Sequence, residues 1–147
     1  MLIKKTGKTK VMPWPMTASL PVLKGTLMAM SGGLLIIATS TTAPSDIVGV
    51  LDRDIKSTDS DYATAYRMAP IEVPIEKNVE WEADIYGTLV VGDVGLYCDI
   101  TTANGTTTTT TVNRGATTYD VAQISKFIST AKARVILNIG ADARAKA

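Results

Sequence analysis

The most conspicuous chemical groups in the chain are three carboxylates at alternate positions of Val79-Glu-Trp-Glu-Ala-Asp-Ile85. Residues two apart on a strand share a face, so Glu80, Glu82 and Asp84 line one side while Val79, Trp81, Ala83 and Ile85 take the other. Such a stripe repels itself unless it is wet or met by cations, which makes it a candidate contact for a basic partner. It does not read as a catalytic pair, because general acid–base work needs a carboxyl of raised pKa facing a substrate pocket. Histidine is absent and Cys98 is the single cysteine. That removes histidine acid–base chemistry, His/Cys zinc sites, histidine-dependent triads and intrachain disulfides from this chain. Cys98 lies in an apolar run, Leu96-Tyr-Cys-Asp-Ile100, and reads as a small core residue rather than a nucleophile. Asp52, Asp54, Asp59 and Asp61 offer oxygen ligands, yet they lack the glycine and closing glutamate of a calcium loop and read as a solvated turn. Gly87, Gly92 and Gly95 are not followed by Gly-Lys-Ser/Thr, so they form no phosphate loop. The expectation is a protein without catalytic, metal or cofactor residues.

Charge is segregated along the chain. Residues 1–45 hold five lysines and no acid (+5), residues 46–99 hold twelve acids and four bases (−8), and residues 100–147 hold six bases and two acids (+4). A basic start and an acidic middle suit either contact between chains, with one subunit's arm on a neighbour's acidic face, or simply solvated surfaces. Lys4, Lys5, Lys8 and Lys10 are then candidate electrostatic guides. Pro13, Pro15 and Pro21 fix φ and lack N–H groups, so residues 1–21 read as an extended arm outside the sheets. Trp14 between two prolines is either an anchor for a partner's pocket or a residue folded back on its own core. The segment Val-Met-Pro-Trp-Pro-Met after the basic start is no secretory signal, which gives the expectation of a protein made inside the cell.

From Lys24 the pattern changes to short apolar, β-branched runs punctuated by glycine: 24–30, 34–39 and 47–52 read as a meander. Leu34 to Ala38 is too short to span a bilayer. Pro70 and Pro74 confine the next strand, 70–75, to an edge or a sheet margin. Residues 87–100 read as two short strands about a Gly92-Asp93 turn, and Asn104-Gly105 signals a hairpin. Of the 21 threonines, six run from Thr106 to Thr111, forming a wettable strand or a low-complexity loop. Residues 119–140 fit a hairpin, the preferred reading, or a helical face through Val121, Ile124, Phe127 and Ile128. The domain plan is an arm at 1–21, a β-rich domain at 22–140 and a flexible tail at 141–147. The fold class is all-β, a compact β-barrel or β-tulip-like domain with little helix.

The Pro-rich basic start, Val-Leu-Lys-Gly-Thr-Leu (22–27), the aliphatic strand after it, Ile-Val-Gly-Val-Leu (47–51) and the Gly-Asp turn at 92–93 together carry a family likeness. The chain resembles the head decoration, or capsid cement, proteins of tailed bacteriophages, the class that includes the head-stabilising protein D of phage lambda. The match covers mainly residues 20–100; the hairpins beyond residue 100 and the threonine run are additions to the short pattern. The resemblance implies a non-enzymatic homotrimer, made in the host cytoplasm and bound on the outer capsid surface, with its arm on the major capsid protein. Pro13, Trp14 and Pro15 would anchor the arm, and Glu80, Glu82 and Asp84 would lie on a subunit face. No nucleic acid, membrane or cofactor is implied. Two other classes share the composition: a tail-tube or fibre subunit, and a β-barrel that binds a small ligand. Aromatic residues at 5% and an acidic middle argue against a nucleic-acid groove.

Overall fold

Short β-branched runs broken by glycine and proline do not favour helices, and the described residues resolve into eleven strands and two single-turn 3₁₀ segments. In the computed structural model, which describes residues 1–140, about 45% of the described structure is strand and 4% helix. The strands are β1 (Ile3–Thr6), β2 (Thr9–Met16), β3 (Leu27–Ser31), β4 (Leu34–Ile37), β5 (Ile47–Leu51), β6 (Arg67–Pro74), β7 (Glu80–Tyr86), β8 (Tyr97–Ile100), β9 (Val112–Asn113), β10 (Ala122–Ser129) and β11 (Lys132–Leu137). They build two closed five-stranded barrels. The first runs β2-β4-β3-β5-β6. The second runs β7-β11-β10-β8-β9 and closes where Ile85 and Tyr86 pair with Val112 and Asn113, with β1 added outside on β7. Met16, Leu27, Leu35 and Ile71 fill the first barrel, Trp81, Ile100, Ile124 and Val135 the second, and all belong to one continuous apolar cluster. Gly49 is required where β5 crosses β6, since a Cβ there would lie 2.5 Å from the Glu72 carbonyl oxygen.

One antiparallel ribbon joins the barrels. Residues 3–6 pair with 80–82, and residues 9–16 pair with 67–74, so the two chain segments run side by side from one barrel into the other. The bend between them falls at Gly7, whose φ of +89° favours glycine. The expected extended N-terminal arm is therefore not seen as a separate element. The segment is extended, but it forms β1 and β2, and its side chains join the core at Leu2, Trp14 and Met16. The prolines allow this because of register. Pro13 faces Pro70, and two residues without N–H groups can only meet at a ladder position that exchanges no hydrogen bonds. Pro15 and Pro74 share that parity. Pro70 likewise accepts, through its carbonyl, the N–H of Asp52 on the side away from β2. This corrects the expectation for 70–75 as well: β6 lies between β2 and β5, not at an edge.

Three further readings are settled by the fold. Residues 119–140 form the β10–β11 hairpin. Residues 87–96 hold no strand, because the Asp93 carboxylate folds back onto the Val90 N–H and closes a 3₁₀ turn at Val91–Asp93. The Asn104-Gly105 pair lies in the long loop of the antiparallel β8–β9 hairpin rather than in a tight two-residue turn, and there Asn104 Oδ1 accepts the N–H groups of Thr106, Thr107 and Thr108. The threonine run is thus a loop, and it straps the second barrel to the first. Thr110 Oγ1, fully buried, accepts the Leu27 N–H, and Thr102 Oγ1 accepts that of Ser40. The tail expected at 141–147 lies outside the described residues.

Candidate interaction surfaces

The carboxylate stripe lies on the outer face of β7, as alternation requires, with β1 on one flank and β11 on the other. Both flanks carry cations. Lys5 reaches Glu82 at 3.2 Å, Lys132 reaches Glu82 at 3.6 Å and Asp84 at 3.7 Å, and Arg134 reaches Glu80 at 3.5 Å. The amino group of Met1 lies 2.8 Å from Asp84. The Lys5 ammonium, hydrogen-bonded beside Glu82, holds that carboxyl below the usual carboxylate range. Lys4 pairs with Glu72 at 3.2 Å and Lys8 with Glu76 at 3.8 Å, while Lys10 is exposed and makes no ion pair among the described residues. The basic start and the acidic middle thus meet within one chain.

Of the expected proline-flanked anchor, the structure separates the parts. Trp14 points into the first barrel and is buried, whereas Pro13 and Pro15 lie on its outer face. There they stand beside Pro70 and Met68, with Val11 next along β2. Met68 is 51% exposed, and Tyr66, just before β6, is 70% exposed. Tyr66 also has a φ of +57°, a conformation that bulky residues rarely adopt and that the surrounding chain must impose. The buried Arg67 holds this corner: its guanidinium lies 3.1 Å from Asp61 and 3.5 Å from Asp59. Asp59 is also fixed by the Lys56 N–H, and that hydrogen bond and the Arg67 charge lower its pKa. The result is an apolar strip of Val11, Pro13, Pro15, Tyr66 and Met68 that no part of the described chain covers.

A second apolar patch lies on the other barrel. The segment 89–96 runs along β10, with the Leu89 N–H donating to Thr130 and the Gly95 N–H to Ile124. This arrangement leaves Val90, Val91, Val94 and Ile128 exposed, with Val91 at 69%. The turn is rigidly held, since Arg114 grips Asp93 through Nε and Nη2, both at 3.0 Å. That fork, together with the Val90 N–H, lowers the Asp93 pKa, and Asp93 in turn raises that of Arg114. Neither patch was foreseen, because exposed valine, methionine and tyrosine look like core residues in a sequence.

These pairs fix the acid response. Asp93 and Glu82 have folded-state pKa values below their unfolded ones, so each stabilises the fold above the ordinary carboxylate range, near pH 4, and that stabilisation is lost as pH falls through the depressed values. Melting temperature should therefore decline from about pH 4 downward. Asp93→Asn should lower it at pH 7 and flatten the decline. A mutant with an unchanged pH profile would contradict this assignment.

Cys98 is wholly buried, and burial with the nearby charges of Asp93 and Asp99 pushes its thiol up to about 11. It should stay unmodified by a thiol-reactive disulfide at pH 8 until denaturant is added; rapid reaction of the native protein would show that the strand opens. Among the described residues no group of three or more His, Cys, Asp or Glu is placed to hold a metal ion, and no helix is long and apolar enough to cross a membrane. Compared with known proteins, the chain matches no family model and no curated sequence.

Proposed function

We propose that this chain is a non-enzymatic structural protein that binds the outside of a tailed-phage capsid and stabilises the shell, acting as a homotrimer on the major capsid protein. The observation that carries this reading is the pair of uncovered apolar faces, one on each barrel: the Val11–Pro13–Pro15–Tyr66–Met68 strip and the Val90–Val91–Val94–Ile128 patch. Contiguous exposed apolar surface marks interaction sites, and a rigid body with two of them can bridge two neighbours. The segments that carry the likeness to decoration proteins, 22–27 and 47–51, lead into and form β3 and β5 of the first barrel. The test is a solution mass followed by mixing with empty heads of the protein's source and pelleting. A trimer that sediments with heads at a fixed ratio supports the reading. A monomer that stays in the supernatant rules it out.

A further inference from the structure

We propose that β1 is an exchangeable strand: residues 1–6 of one copy can leave their own β7 and take the same place on the β7 of a second copy. This inference rests on the fold alone and not on the shell reading. All four side chains of β1 are exposed, and only Leu2 before it is buried. The strand meets β7 at three positions, with an irregularity between Lys4 and Thr6. Its two lysines are held by partly exposed ion pairs, Lys4 with Glu72 and Lys5 with Glu82, which salt weakens. A cleft of about 250 Å³ lies between this segment and the first barrel, bordered by Ile3, Lys24, Val50 and Asp52, so the first barrel does not fully enclose the segment.

The site it would vacate persists without it. β7 is paired with β11 along one edge and with β9 at its far end, so the second barrel stays closed when β1 departs. The donor is equally secure. β2 is fixed by Trp14 and Met16 in the first barrel, and Gly7, at a φ of +89°, is the hinge between the mobile strand and the anchored one. Exchange reproduces every contact of the closed form, so the balance between the two forms is set by concentration and by strain at Gly7 and Lys8.

The test uses the facing pair Thr6 and Glu80. Full-length Thr6→Cys protein, isotopically labelled, is mixed with full-length Glu80→Cys protein at high concentration and moderate salt, then oxidised. Exchange yields a disulfide-linked dimer of one labelled and one unlabelled chain, well above the level from a control mixture of Thr6→Cys with Lys126→Cys. The double variant Thr6→Cys/Glu80→Cys checks the geometry by closing within one chain when dilute. If the double variant closes and the mixture gives no more mixed dimer than the control, β1 does not exchange. If the double variant fails to close, β1 does not lie on β7 and the proposal falls with it.

Discussion

Trp14→Ala should destabilise the protein by about 3–5 kcal/mol, the usual cost of removing a large aromatic from a packed core. Trp14 is 8% exposed on the inward face of β2, next to Met16, in the cluster that fills the first barrel. A domain of this kind has a total stability of about 5–15 kcal/mol, so much of it would go. The neighbouring Pro13→Ala should cost less than about 1 kcal/mol, because Pro13 faces solvent and contributes mainly by stiffening the unfolded chain. The contrast separates the two roles open to a tryptophan between prolines. Urea midpoints for the three proteins measure it. A Trp14→Ala midpoint equal to that of the wild type would mean that the residue is not a core residue.

Asp99→Ala should be the other severe substitution, at about 3 kcal/mol or more. The Asp99 carboxylate is buried on β8 and accepts three consecutive backbone N–H groups, from Thr118 at 3.0 Å, Tyr119 at 2.6 Å and Asp120 at 2.9 Å. It thereby sets the turn that delivers the chain into β10, where Asp120 has a φ of +54°. Alanine would leave three donors without an acceptor, each a loss of about 1–3 kcal/mol when buried, partly offset by water entering. Asp99→Asn keeps one carbonyl oxygen and should lose less. Hydrogen exchange at residues 118–120 reports the mechanism directly: those amides should lose protection in Asp99→Ala while the β7 amides keep theirs in the folded fraction. Unchanged protection would show that the turn is held by something else.

The strands between Lys24 and Leu51, and the alternating β7, were legible because period-2 burial and glycine breaks act locally. The placement of β1 and β2 was not. Proline is excluded from strand interiors for want of a donor, yet the rule lapses where Pro13 meets Pro70 at a position that uses none, and that register is a property of two segments 57 residues apart. The acidic stripe showed its need for cations, but whether Lys5 would reach its own Glu82 or a neighbour's is decided by the ribbon's path and not by composition. Reading residues 1–21 as an arm left no inner or outer face to assign, so the outward placement of Val11, Pro13 and Pro15 followed only from the β2–β6 register. Asp93 looked like an ordinary turn acid and Asp99 like one residue of an apolar run, because their partners, Arg114 and the 118–120 amides, arrive from about twenty residues away.

The most direct test of a shell-stabilising role is the temperature at which DNA-filled heads of the protein's source rupture, measured by dye access to the DNA with and without added protein. Wild-type protein should raise that temperature, and the folded surface variants Met68→Glu and Val91→Glu should each lose the effect by placing a charge in an apolar face. A rupture temperature that does not move when wild-type protein is added in excess would contradict the account.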